Sequence, residues 1–330
     1  MIDMNNKDYP LITICISCYN SADTVQGAIE SALTQDWPNK EILIGDDGSS
    51  DNTVEVVRNA IEGHENARLI VYESNKGFAG SLNTLIAEAK GAFMAIFDDD
   101  DKSLPERIRR QYERIVEYEK TYNTNMVICH VARLQHFQNG YERYEKTMGT
   151  RGGIAPNGQA VADRILTGRL SHDVVGSCAN CSRMARLEVF QKMGGYNDKM
   201  TRGEDTEFNV RFSLAGGHFV GIAEPLVIQT MTMGREKTLA EERKAERFVI
   251  EKNKEYLMQA GWYDFCVAWL NVRHEHLNDN KVSLFLGLFR LFLRYPVKVI
   301  QKIIWSMPAR RTREDFRKWH QQEFNKNKAV

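Results

Sequence analysis

Four aspartates stand in a row at Asp98–Asp101. Adjacent carboxylates repel one another, and a loop gains nothing structural from them. A hard divalent cation such as Mg²⁺ or Mn²⁺ resolves that repulsion, because it prefers oxygen ligands. Sites of this kind commonly take one or two carboxylates and complete the shell with substrate phosphates. Alternate residues of an extended segment point the same way, so Asp98 and Asp100 can act together. The plain alternative is a solvated acidic turn ahead of a helix starting near Pro105. A second polar cluster runs Asp46-Asp47-Gly48-Ser49-Ser50-Asp51, and a third acidic pair is Glu204-Asp205. Read alone, that pair supplies favourable first-turn charges for a helix over Thr206–Ala215. Cys15/Cys18 and Cys178/Cys181 have CxxC spacing, which invites a zinc reading. The first pair lies in a strand-like run, where residues three apart point to opposite faces. These thiols are therefore read as buried and structural, in a reducing cytoplasm.

The elements that must position these groups alternate through the first hundred residues. Leu11–Cys18 is a β-rich apolar run, and Ala22–Gln35 a helix introduced by the N-cap types Asn20 and Ser21. Glu41–Gly45 is a second strand, followed by a helix capped by Ser50 or Asp51. Arg68–Tyr72 is a third strand, Phe78–Lys90 a helix closed by Gly91, and Ala92–Phe97 a fourth strand. This βαβαβαβ order predicts a parallel sheet covered by helices. Such sheets bind ligands at the carboxyl ends of their strands, near the point where strand order reverses. The residues there are Ser17, Tyr19 and Asn20, then Asp46–Asp51, then Asn75 and Gly77, then Asp98–Asp101. Their convergence on one sheet edge favours the metal reading over the acidic turn.

Taken in order, Ser17-Cys18-Tyr19-Asn20, Asp46–Asp51, Asn75-Lys76-Gly77 with Asn83, Phe97–Asp101 and Gly203-Glu204-Asp205 resemble the motifs of family-2 glycosyltransferases of bacterial surface-polysaccharide type. The resemblance covers about Pro10–Thr230. It implies the GT-A fold, a Rossmann-like, mostly parallel sheet flanked by helices. It further implies inverting transfer of a sugar from a nucleotide-diphosphate donor, UDP-linked by expectation, to a hydroxyl of a glycan or lipid-linked acceptor. By the same resemblance Asp47 accepts the ring N–H of the base. Ser17, Tyr19 and Asn20 lie beside base and ribose, and Asn75, Gly77 and Asn83 lie near the nucleotide. Asp98, Asp99 and Asp100 form the DXD motif, with Asp100 first choice as metal ligand and Asp98 near the ribose and metal. Asp101 is a helix-start carboxylate or serves the acceptor side. Asp205 is the expected base, with Glu204 beside it on the acceptor. Many relatives place a histidine or basic residue after the last core strand. Here only Arg235 and Lys237 are offered for the diphosphate.

Two rivals are weaker. A nucleotidyltransferase would want a glycine-rich basic loop after the first strand, which Ser17–Asp23 lacks. A non-catalytic scaffold of the same fold would have no need of intact carboxylates.

Residues 1–232 are expected to form the catalytic domain, with a nucleotide-sugar half to about 101 and an acceptor half beyond it. Residues 233–330 read as helical: Leu239–Gln259, then Trp262–Val272 packing on the catalytic domain, then Val282–Trp305 kinked at Pro296. In 282–305 Arg290, Arg294, Lys298 and Lys302 recur every four residues among Phe, Leu and Ile. That pattern suits a helix lying in a membrane interface, the alternatives being an amphipathic helix packed on the core or one face of a dimer, and basic character continues to Lys318. No stretch is long and apolar enough to span a bilayer, and no secretory signal is expected. The predicted location is cytoplasmic and peripheral to the inner face of the cell membrane. The 44 basic and 44 acidic residues cancel, which argues against a dedicated nucleic-acid binder. The cancellation is uneven: residues 282–330 hold 11 Lys+Arg against 3 Asp+Glu, leaving 33 against 41 in residues 1–281.

Overall fold

The structure, a computed structural model, describes residues 9–137, 140–171, 174–231, 239–277 and 280–306. The chain divides into two compact units. The first holds residues 9–137, 141–162 and 174–231, the second residues 140, 163–171, 239–277 and 280–306.

The first unit opens with β1 (Ile12–Cys18), α1 (Val25–Leu33), β2 (Lys40–Asp46), α2 (Thr53–Ala60), β3 (Ala67–Val71), α3 (Gly77–Glu88) and β4 (Phe93–Asp98). β1 pairs in parallel with both β2 and β4, and β2 with β3. Every residue of β1 is buried, as expected where helices cover both faces of a parallel sheet. The chain winds outward from β1 to β3 and then returns to the other side of β1. The reversal therefore falls between β1 and β4, where Ser17 stands in register with Asp98.

The chain continues through β5 (Lys102–Ser103), α4 (Arg107–Tyr122), β6 (Val127–Phe137), β7 (Glu142–Glu145), α5 (Gly158–Thr167), β8 (Arg183–Arg186), α6 (Leu187–Lys192), α7 (Glu204–Leu214) and β9 (His218–Met231), all in the first unit except residues 163–167 of α5. The sheet runs β3-β2-β1-β4-β8-β6-β9-β5, with β7 on β6. β8 is antiparallel to both neighbours, whereas the long β6 and β9 are parallel with irregular register around Ala132. The mixed α/β architecture agrees with the expected fold class.

Several local expectations change. Asn20 does not cap α1, whose N-cap is Thr24 without a side-chain hydrogen bond. Its backbone is left-handed at φ 48°, and its side chain serves another loop. Asn52, not Ser50 or Asp51, is the N-cap of α2. Gly91 does not close α3, which ends at Glu88 with Ala89 as its C-cap. It is glycine because a Cβ there would lie 2.6 Å from the Thr13 nitrogen.

The second unit is helical, as expected: α8 (Leu239–Lys252), α9 (Lys254–Gln259), α10 (Tyr263–Leu277), α11 (Lys281–Arg294) and α12 (Pro296–Ser306). The single helix expected over Leu239–Gln259 breaks at Asn253, and Pro296 divides α11 from α12. Phe265, Val272, Leu291 and Val299 form its core, with Trp262, Trp269, Leu284, Leu288 and Tyr295 packed against them. The two tryptophans thus pack inside their own unit. Among the described residues no helix is long and apolar enough to cross a membrane. Arg235, Lys237 and the basic tail beyond Ser306 lie outside the described residues.

Candidate active site

The loops at the carboxyl ends of β1 and β2 are stitched together. The Asn20 backbone N–H donates to Ser49 Oγ at 2.9 Å, and Asn20 Oδ1 accepts the Ser50 N–H at 2.8 Å. Asp46 Oδ2 accepts the Ser49 N–H at 3.1 Å. Asp51 Oδ1 accepts the Thr53 N–H at 3.0 Å, which orients the loop ahead of α2. Gly48 takes φ 75° under the Ser74–Asn75 backbone, where a Cβ would come 3.0 Å from the Asn75 nitrogen. This tight turn presents Asp47, whose Oδ1 accepts the Lys76 N–H at 2.7 Å. Burial raises the Asp47 pKa, against the lowering effect of that backbone bond. Asn75 Oδ1 accepts the Gly77 N–H at 2.9 Å and starts α3. The loops carrying Tyr19, Asn20, Asp47, Asn75 and Gly77 thus meet at one edge, and the Tyr19 side chain is exposed.

Two predicted residues are engaged structurally. Ser17 is buried and donates to Ser81 Oγ at 2.7 Å, tying β1 to α3. Asn83 clamps the Tyr196 backbone, accepting its N–H at 2.7 Å and donating to its carbonyl at 2.8 Å. Gly195 beside it must be glycine, since a Cβ would lie 2.3 Å from Asn83 Oδ1.

At the end of β4 the chain does not stay extended. Asp99 and Asp100 form a turn, closed by a 3.5 Å contact from the Asp101 N–H to the Asp98 carbonyl. The alternation that would align Asp98 with Asp100 stops at the strand end. The turn instead gathers carboxylate oxygens of Asp98 and Asp101 with the Cys181 sulfur, all within 4.8 Å of one another. Asp101 Oδ1 accepts the Thr230 N–H at 3.0 Å, whereas Asp98 Oδ1 and Asp101 Oδ2 are buried without a hydrogen-bond partner. Burial, then repulsion from the neighbouring aspartates, drives the Asp98 pKa well above the carboxylate range. The same two causes place Asp99 at about 6 and Asp101 at about 7. Two orphaned carboxylate oxygens are a donor set that suits a hard cation. The Cys181 thiol is pushed up by burial, so it stays protonated and is a poor ligand for such an ion.

Fixed cations surround this turn. Arg107 is fully buried, donating to Ser103 Oγ at 2.7 Å, the Ile96 carbonyl at 2.8 Å and Gln111 Oε1 at 3.1 Å. Burial lowers its pKa to about 10, which leaves it charged at neutral pH. Arg133 donates to Gln229 Oε1 at 2.7 Å, Ser177 Oγ at 2.8 Å and the Cys181 sulfur at 3.5 Å. The sequence carries a weak sign of Arg133, a charged side chain inside the otherwise apolar run of β6, and none of Arg107, one of several arginines in the charged helix α4.

The second acidic pair opens α7, behind Gly203 at φ 72°. Asp205 Oδ1 accepts the Thr206 N–H at 2.6 Å. Burial and then Asp205 raise the Glu204 pKa to about 7. Glu204 Oε1 faces Asn180 Nδ2 at 3.4 Å. Asn180 Oδ1 also accepts from the Tyr196 hydroxyl at 2.8 Å, and that hydroxyl accepts from buried Arg183 at 2.7 Å. Asn180 and Cys181 are consecutive, so one short turn touches both acidic groups.

The remaining cysteines are free and, apart from half-buried Cys178, buried, in keeping with the structural reading. His218 is also structural, its Nδ1 lying 2.8 Å from the Tyr118 hydroxyl.

A mixed α/β sheet of this order, with carboxylates gathered at its strand ends, is of the GT-A type. The chain belongs to glycosyl transferase family 2, whose model matches residues 13–194. It is 41% identical over 105 residues to the succinoglycan biosynthesis protein ExoO of Rhizobium meliloti (strain 1021), covering 32% of this chain and 30% of that protein. It is 36% identical over 114 residues to the Escherichia coli UDP-Glc:alpha-D-GlcNAc-diphosphoundecaprenol beta-1,3-glucosyltransferase WfaP, covering 34% and 43%. The matches thus span less than half of these relatives. The crystal structure of S. aureus TarS 1–349 in complex with UDP-GlcNAc superposes with a TM-score of 0.58 at 16% identity, covering 87% of this chain and 82% of that one. That likeness is one of fold.

Proposed function

We propose that the chain is a metal-dependent, inverting glycosyltransferase. It would move a sugar from a nucleotide-diphosphate sugar, UDP-linked, to a hydroxyl of a glycan or lipid-linked glycan in cell-surface polysaccharide assembly. The observation that carries this reading is the pair Asn180–Cys181. The first contacts Glu204, beside the expected base Asp205, and the second adjoins Asp98 and Asp101, so one turn touches both the acidic pair that opens α7 and the candidate cation site. The kinship to a protein named for glucose transfer from UDP-Glc supports the donor class.

In this reading Asp47 accepts from the base, and the Tyr19 ring stacks on it. Asn20, Asn75 and Gly77 shape the loops around the nucleotide, while Ser17 and Asn83 hold β1 and α3 in place beneath it. Mg²⁺ or Mn²⁺ would be held by Asp98 and Asp101, whose free oxygens the turn gathers, with Asp100 of the same turn as a further ligand and Asp99 alongside, and would stabilise charge on the departing diphosphate. Asp205 takes the proton of the attacking hydroxyl as the new C–O bond forms at the anomeric carbon. The bond to the diphosphate oxygen breaks with its electron pair, and a single in-line displacement inverts the centre. Arg235 and Lys237 remain proposed diphosphate contacts. The reading places the enzyme at the cytoplasmic face of the membrane.

A donor screen tests the proposal: thermal shift and metal-dependent turnover across UDP-, GDP- and dTDP-sugars. Full turnover in both Asp100→Ala and Asp205→Asn would overturn the mechanism. Binding of UDP-sugars with no transfer to any glycan acceptor would favour a non-catalytic role.

A further inference from the structure

In α11 and α12 two opposite stripes are both apolar. One stripe, Leu284, Leu288, Leu291, Tyr295 and Val299, packs against Trp262, Phe265 and Trp269 of α10 and the turn before it. The other runs through Val282, Phe285, Phe289, Leu293, Val297, Ile300 and Ile304 at steps of three and four, continuing past the break at Tyr295. These side chains face outward, with Val282 71%, Phe285 69%, Leu293 67% and Val297 66% exposed. Phe285 and Phe289 stack on each other, ring centroids 6.5 Å apart, in that exposed position. A helix that is apolar all round belongs in an interior, yet half of this surface is uncovered within its unit.

Charge identifies what would cover it. Residues 281–306 contain Lys281, Arg290, Arg294, Lys298 and Lys302 and no Asp or Glu. The four regularly spaced cations do not form one outward face. Lys298 donates to the Gly261 carbonyl and lies over the Trp262 and Tyr295 rings. Lys302 donates to the Thr167 carbonyl. Lys281, Arg290 and Arg294 are exposed beside the apolar stripe. Exposed cations flanking aromatic and aliphatic side chains, with no acid among them, complement an anionic lipid surface.

We propose that α11 and α12 form a lipid-docking face that inserts the Val282–Ile304 stripe into the acyl boundary of an anionic membrane. Arg290 and Arg294 meet the headgroups, while Lys298 and Lys302 brace the helices from behind. This deepens only the membrane part of the reading above. Insertion is led by apolar contact, with charge as a supplement, so binding survives salt better than a purely basic patch would.

The test is flotation of the full chain with vesicles of phosphatidylcholine, with and without phosphatidylglycerol, at low and high salt. The chain should float with the anionic vesicles and be partly retained at high salt. The triple variant Phe285→Ser, Phe289→Ser, Val297→Ser should partition at least about tenfold less. A far-UV circular dichroism spectrum and a melting temperature equal to those of the parent chain would show it folded. Three results overturn the proposal: equal flotation of the variant, no flotation of the parent chain, or a lipid-free dimer that these substitutions dissociate. Because flotation needs no donor or acceptor, failed sugar transfer leaves it standing, and failed flotation leaves the catalytic reading intact.

Discussion

At the scale of single residues, Asp98, Asp99, Asp101 and Glu204 are carboxylates held away from their ordinary acidity. Glu204 titrates at about 7 because it is buried beside Asp205. If turnover requires the ionised pair, kcat/KM should rise through pH 7. Glu204→Gln should remove that limb from the pH profile, and Asp205→Asn should lower kcat by about a thousandfold with UDP binding retained. Asp101 gives a stability prediction of definite sign. Its folded pKa of about 7 exceeds that of an unfolded aspartate, so the native state binds more protons between those values. Stability from this group is therefore present at low pH and lost as pH rises through 7. Asp101→Asn should raise Tm at pH 8 in metal-free buffer and leave it little changed at pH 4. An equal shift at both pH values would contradict this account.

At the scale of elements, loop geometry decides which side chains meet. The Asn83 clamp fixes α3 to the turn after α6. Asn83→Ala leaves the Tyr196 N–H and carbonyl unpaired and should cost about 1–3 kcal/mol, read as a lower denaturation midpoint with an unchanged m-value. Gly195→Ala should act in the same direction through its clash with the same amide. These elements also show what a sequence can and cannot disclose. β1 to β4 were legible to within about a residue at each end, because β-branched runs and polar strand ends alternate locally. Asp47 and Asp98 were legible as site candidates for the same reason, whereas Glu204, at the start of α7, stood out only through the resemblance. The pairing of Asp98 with Asp101 was not, since it depends on where the strand stops and the turn begins. Nor was the approach of Cys181, 80 residues farther along, because β8 and the turn before it enter the sheet antiparallel between β4 and β6. Non-local strand insertion leaves no periodic trace.

At the scale of the whole molecule, the proposed chemistry belongs to one unit and the proposed lipid face to the other. Hydrogen exchange in the presence of UDP and Mn²⁺ should slow at residues 17–20, 46–51, 75–77 and 98–101, while amides of α8 to α12 keep their rates. Protection spread evenly over both units would contradict this division. The neutral total charge conceals the same division, since the basic excess lies beyond residue 281. Even there the sequence overstates the surface charge, because Lys298 turns toward Gly261 and Trp262 and Lys302 toward Thr167.

The turn that carries Asn180 and Cys181 bears on how such a chain tolerates change in length. β7 pairs with β6 alone, at the margin of the sheet, and carries none of Asp98, Asp101, Glu204 or Asp205, so a change of length there should spare the site. Between Cys178 and Arg183 no such freedom exists. Adding or removing one residue would rotate Asn180 away from Glu204 or Cys181 away from the aspartates, since consecutive side chains serve both. An insertion in the hairpin should therefore leave sugar transfer intact, whereas this turn should accept substitution but not insertion or deletion.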